Sequence, residues 1–135
     1  MTLISRDHIA EVLRRLNGAE NLRPESSVEE TSRRIDQVMG ADVEGWTNGV
    51  HVPDRAAERR TERWLFASVE DYQRDIERLI VEPPFATITW TIRGTANGRE
   101  LRVPGSSIFE FGDDGLIRRY WLYCDPTKFG PLSAR

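Results

Sequence analysis

The chain has 135 residues, 39% of them hydrophobic and 30% charged, with a net charge of −3 and a sequence pI near 5.5. This length suits one domain, residues 1–135, able to bury roughly 65–70% of the surface its unfolded form exposes. The acidic balance argues against a nucleic-acid partner, and no apolar run approaches the roughly 20 residues that span a bilayer.

One cysteine, Cys124, leaves no intrachain disulfide to form, which fits a reducing cytoplasm. Met1-Thr2-Leu3-Ile4-Ser5 meets Arg6 and Asp7 at once, without the long apolar core of a signal peptide, so the expected location is cytoplasmic and no membrane partner is expected.

Ser5 or Asp7 can cap a first helix over residues 7–16, where Ile9, Val12, Leu13 and Leu16 make one apolar stripe and Asn17-Gly18 supplies a stop. A connector containing Pro24 follows. Ser26-Ser27-Val28-Glu29-Glu30 offers two capping-box registers for a second helix, with Val28, Ile35, Val38 and Met39 inward and Gly40 at its close. Residues 42–52, with glycines and Asn48 among Val43, Trp46, Val50 and Val52, read as a short irregular strand or hairpin. Asp54 is expected to cap a helical turn over residues 55–60; residues 61–66 either continue it or form a short strand. The arginine-rich stretch 55–63 also carries Glu58 and Glu62, so it reads as a solvated helix face instead of a phosphate-binding patch. Ser68, with Asp71 behind it, is expected to cap a third helix whose apolar face is Val69, Tyr72, Ile76, Leu79 and Ile80, stopped by Pro83-Pro84.

The last third changes period. Ala86, Ile88, Trp90 and Ile92 alternate with Thr87, Thr89, Thr91 and Arg93, as in a half-buried strand. Asn97-Gly98 is a tight-turn signal. Residues 99–111 form the return strand, with a bulge or bend expected at Pro104-Gly105. Gly112-Asp113-Asp114-Gly115 is a second turn, and residues 116–124 form another strand, ended by Asp125-Pro126. Helices followed by a meander of long strands give an α+β domain, and a curled sheet closed by helices leaves a hollow suited to a small molecule.

Gly98-Arg99-Glu100-Leu101-Arg102-Val103-Pro104-Gly105, then Ile108-Phe109-Glu110-Phe111-Gly112-Asp113-Asp114-Gly115-Leu116-Ile117, then Tyr120-Trp121 and Asp125-Pro126, resemble the C-terminal half of SnoaL-like proteins, within the nuclear-transport-factor-2-like superfamily. The resemblance covers roughly residues 84–130. It implies a cone-shaped, curved antiparallel sheet enclosed by three N-terminal helices, a homodimer, and a pocket for a small apolar molecule. It also implies a cofactor-independent isomerase or cyclase acting on an apolar or polycyclic ketone; a non-catalytic binding module or a dimeric scaffold is the alternative. Three acid positions of the superfamily are replaced. Ser107 stands where ketosteroid isomerases and SnoaL-type cyclases carry an aspartate, Gly45 where the isomerase base is expected, and Leu122 where limonene epoxide hydrolase has an acid.

If Ser107 occupies the inward position, Phe109 and Phe111 share its face, and Leu122 brings Tyr120 and Cys124 inward with it. The expected pocket residues are Trp46, Trp90, Ser107, Phe109 and Leu122. His51, near Trp46 and near the position of the isomerase base, is the candidate proton carrier, because a histidine titrates near neutral pH. Tyr72 and Tyr120 are candidate donors to a developing oxyanion. Glu44 is a lesser candidate for a displaced base. His8 is expected to pack or cap, Asp125 to bond its own turn, and Cys124 to be buried and inert. Two histidines 43 residues apart and one cysteine make no zinc spacing, and no nucleotide-binding loop is present, so no metal or cofactor is expected.

Overall fold

The computed structural model describes residues 4–22 and 25–132. The chain runs α1 (Arg6–Glu20), α2 (Val28–Asp36), β1 (Met39–Thr47), β2 (Val50–Val52), α3 (Arg55–Ser68), β3 (Gln73–Glu82), β4 (Phe85–Ala96), β5 (Arg99–Phe111) and β6 (Ile117–Cys124), and closes with a 3-10 helix, Pro126–Leu132. The six strands form one curved sheet in the order β2-β1-β6-β5-β4-β3. Every neighbouring pair is antiparallel except β1 with β6, which is parallel, so the sheet is mixed and not wholly antiparallel as expected. Pro24 of the connector and Met1, Thr2 and Leu3 of the leading segment lie outside the described residues.

Helix α1 starts where Ser5 accepts the His8 backbone N–H at 3.0 Å, and its expected stripe is buried, lengthened by Ala19. It does not stop at Asn17-Gly18. The side chain of Asn17 accepts a hydrogen bond from Arg74 Nε at 2.9 Å, and Asn21 pairs with both backbone groups of Arg74 at 2.7 and 2.8 Å. These ties to β3 hold the last turn in place and outweigh the roughly 1 kcal/mol cost of a glycine in a helix. In α2, Ser27 is the cap, accepting the Glu30 backbone N–H. The helix ends before Val38, whose carbonyl takes the Ile117 N–H at 3.0 Å; the sheet captures the chain there, and Gly40, the expected helix stop, falls within β1.

The expected third helix over Val69, Tyr72, Ile76, Leu79 and Ile80 is instead the edge strand β3, and Ser68 is the last residue of α3. A bulge explains the mistaken period. Ile76 pairs with Trp90 and Arg78 with Thr89, which leaves Glu77 without a partner in the ladder. One inserted residue shifts the inward set from Arg74 and Ile76 to Leu79 and Val81, and the resulting spacing imitates a helix. The third helix is α3, capped by Asp54, which accepts the Ala57 N–H at 2.9 Å; residues 61–66 continue it.

The β4–β5 hairpin turns at Asn97 and Gly98, both at positive φ (53° and 74°), as the two-residue turn requires. No bulge occurs at Pro104-Gly105: twelve pairs run from Phe85–Glu110 to Ala96–Arg99 without a shift. The β5–β6 ladder begins only at Gly105, so Pro104 sits just beyond it. Gly105 makes room for Trp90, since a Cβ there would lie 2.4 Å from the indole. The core lies between the concave face of the sheet and the helices, around Ile9, Leu13, Ile35, Phe66, Ile88 and Ile117. No described helix is long and apolar enough to cross a membrane.

Candidate functional site

Alternation along the strands fixes which residues face the interior. On β6, Tyr120, Leu122 and Cys124 point inward; on β1 the facing positions are Gly45 and Thr47, paired with Tyr120 and Leu122. Tyr72 just ahead of β3 and Arg74 within it face the same space, and β4 contributes Trp90 and Ile92. Together with α3 these residues bound a cavity of about 210 Å³, below the roughly 300–1,000 Å³ of sites for drug-sized ligands. It suits one or two fused rings better than a polycyclic compound. Its walls are mainly apolar: Trp64, Leu65 and Phe66 from α3, Trp90 and Leu122 from the sheet, and Phe129 from the terminal 3-10 helix.

The floor is different. Glu58 and Glu62 of α3 and Glu20 of α1 line the cavity, and their side chains are only 19%, 13% and 13% exposed. Arg55, Glu58 and Glu62 stand at offsets 0, 3 and 7 on one helix face, and that face is turned inward instead of being solvated. Arg55 donates to Glu58 at 3.0 Å, to Glu62 at 2.8 and 3.1 Å, and to Asp36 of α2, which also binds Arg59 at 2.5 Å. On the far side, Tyr72 donates its phenol proton to Glu20 at 2.5 Å, and Arg74 lies 3.2 Å from the same carboxylate. A smaller void of about 60 Å³ shares Glu20, Glu58, Glu62, Arg74 and Tyr120 with the cavity and extends it toward Ser107 and Phe109.

Burial sets the protonation of this floor. It raises the pKa of Glu58 to about 7, helped by the charge of Glu62, while Arg55 and a hydrogen bond from Tyr120 pull the other way. Burial also moves Glu62 upward, against the pull of Arg55. Tyr120 is pushed well above the usual phenol value, first by burial and then by Glu58, and Tyr72 by burial and Glu20. Both phenols therefore stay protonated and can act only through their O–H groups. Arg55 is opposed by burial, yet Glu62, Glu58 and Asp36 more than offset that cost, so its charge is fixed.

Of the residues expected from sequence, Tyr72, Tyr120, Trp90 and Leu122 come together around the cavity. Ser107 and Phe109 line the smaller void beneath it. Ser107 accepts the Trp90 indole N–H at 2.9 Å. His51 and Trp46 lie elsewhere. Trp46 faces outward, opposite to Gly45 and Thr47, stacked between Trp121 at 5.4 Å and His51 at 5.2 Å. The His51 ring is exposed and bonded to Glu44 at 2.8 Å on that outer face. His8 packs onto the carbonyl of Gly115 at 2.9 Å, and Asp125 accepts from Thr127 within its own turn. Cys124 points inward but is half-buried, and burial raises its thiol pKa.

Glu20, Glu58, Glu62, Arg55 and Arg74 were not anticipated. The 0, 3, 7 spacing of Arg55, Glu58 and Glu62 was the available signal. Among the described residues, no group of three histidines, cysteines or carboxylates is arranged to hold a metal ion.

In comparisons with known proteins, no curated protein matches the chain. Solved structures match its fold throughout. A protein assigned as a SnoaL-like polyketide cyclase from Jannaschia sp. CCS1 superposes with a TM-score of 0.78 at 13% identity, covering 100% of both chains. TsrD from Streptomyces laurentii gives 0.77 at 22% identity, covering 98% of this chain and 99% of its own. An LEH-like epoxide hydrolase of M. tuberculosis gives 0.71 at 16% identity, covering 93% of this chain and 90% of its own. The SnoaL-like domain pattern matches residues 25–120, from just ahead of α2 to the inward Tyr120, and the chain therefore belongs to the SnoaL-like family.

Proposed function

We propose that this domain is a cofactor-independent acid–base enzyme that moves a proton on a small, largely apolar ketone, with Glu58 as the proton carrier. One observation carries the reading: a carboxyl group whose pKa is raised to about 7 lines an otherwise mainly apolar cavity and touches a permanently protonated phenol. A base works best when its pKa lies near the working pH, and burial supplies that match here. Ionised Glu58 would take a proton from the carbon next to the carbonyl. The Tyr120 O–H would then stabilise the oxygen as it gains charge. Tyr72 is committed to Glu20 and the Trp90 indole to Ser107; the Tyr120 O–H, bonded to Glu58, is released for the substrate oxygen as Glu58 takes up the proton. Gly45 and Ser107 leave the superfamily's usual acid positions empty, and Glu58 approaches from the helical side instead.

Deuterium exchange into the methylene next to the carbonyl of 2-tetralone, followed by NMR, tests this. The wild-type rate should rise with pH through about 7 as Glu58 loses its proton. Glu58→Gln should lower it by roughly 100-fold or more, and His51→Ala should leave it unchanged. Exchange in Glu58→Gln equal to wild type would defeat the reading. Tight binding of 2-tetralone without exchange would instead support a binding module.

A further inference from the structure

The ionisable groups facing the cavity are unequal in sign. Glu20, Glu58 and Glu62 line it, against one cation, Arg74. With the groups behind them included, four carboxylates (Glu20, Asp36, Glu58, Glu62) face three guanidiniums (Arg55, Arg59, Arg74). The cluster is one positive charge short when all its members are ionised. In a cleft walled by Trp64, Phe66, Trp90 and Phe129 the deficit is weakly screened, because low-dielectric walls concentrate the field. The same rings offer faces to a cation.

A second observation points to a bound molecule. Arg74 is 5% exposed and lines both the cavity and the void below it. Its Nε is held by Asn17 and its Nη1 by Glu20, but its Nη2 is buried without a hydrogen-bond partner. A buried guanidinium N–H left unmet is costly, and a ligand oxygen would satisfy it.

We propose that the ligand of this cavity is a small apolar amine in its protonated form that also carries a carbonyl or hydroxyl oxygen, the ammonium facing Glu58 and Glu62 and the oxygen facing Arg74. This assignment rests on the acid–base reading for its site but not for its test. The missing positive charge is supplied either by a proton on Glu58 or by the ammonium. Around Glu58 stand Arg55 and Glu62 on its own helix, Glu20 on α1, Tyr72 ahead of β3, Arg74 on β3, and Tyr120 and Cys124 on β6, with Asp36 and Arg59 behind Arg55; none of these is a lysine or histidine that could fill the deficit instead. A carboxylate ligand would add to the excess and be excluded.

Three bicyclic probes of one size separate the possibilities: 2-aminotetralin, 2-tetralone and tetralin-2-carboxylate, with binding to the full chain read by calorimetry at pH 6 and pH 8. The amine should bind at least about 10-fold more tightly than the carboxylate at pH 8. Its advantage over the ketone should grow from pH 6 to pH 8, as Glu58 gives up the proton that competes with it. Glu58→Gln should shrink that advantage and remove its pH dependence. Carboxylate binding equal to or tighter than amine binding would overturn the assignment, as would an amine advantage that does not change between the two pH values in the wild-type protein. Proton exchange on 2-tetralone reads the catalytic proposal separately, so either can fail without the other.

Discussion

Tyr120 reaches Glu58 only because residue 45 of β1 has no side chain. A Cβ at Gly45 would sit 2.2 Å from the Tyr120 ring, closer than any real contact. The bare backbone at Gly45 lets the phenol cross β1 and meet the acid on α3. Gly45→Ala should therefore cost about 1–3 kcal/mol, the usual penalty for overpacking a well-filled site. Gly18→Ala, in the α1 interior with open space around it, should gain about 0.5–1 kcal/mol by the ordinary helix preference. Urea denaturation of the two variants checks this pair. Equal effects would mean that Tyr120 does not rest on Gly45.

At the scale of elements, α3 turns a charged face toward the core, and Arg55 holds it there. Its side chain is 13% exposed, so replacing it leaves Glu58 and Glu62 buried without their shared cation and Asp36 with Arg59 alone. Arg55→Met should destabilise the fold by about 3–5 kcal/mol at pH 8. The sign of the pH effect follows from Glu58. Its folded pKa, about 7, lies above the unfolded value near 4.5, so the folded state holds the proton more tightly and the wild type loses stability as pH rises between the two. Without Arg55 that loss steepens, and the deficit of Arg55→Met should be smaller at pH 5 than at pH 8 in thermal unfolding. The same helix marks where the sequence was hard to read. Charge alternation along residues 55–63 resembles a solvated face, because one helix's sequence does not reveal that Asp36 and a cavity await it. In β3 the bulge at Glu77 broke the two-residue period and made a strand look helical. The β4–β5 hairpin is readable because Asn97-Gly98 and unbroken alternation agree, and the inward placement of Trp90 follows from that pattern, whereas that of Tyr120 and Leu122 on β6 needs the family resemblance to fix the face.

The whole molecule is a curved sheet that meets its helices tightly at one end and leaves a gap at the other. Ile9, Leu13, Ile35 and Ile117 fill the closed end to full burial, whereas Trp64, on the α3 side of the gap, remains 52% exposed while lining the cavity. The gap lies beside Glu58, whose pKa burial raises to about 7. In the reading proposed above, this hollow admits a small carbonyl compound and presents it to Glu58. A crystal structure of the protein soaked with 2-tetralone is the decisive measurement. The bicycle is expected between Trp90 and α3 with its carbonyl end beside Tyr120 and Glu58; a hollow closed by its own side chains, with 2-tetralone absent or bound only outside it, would overturn that reading.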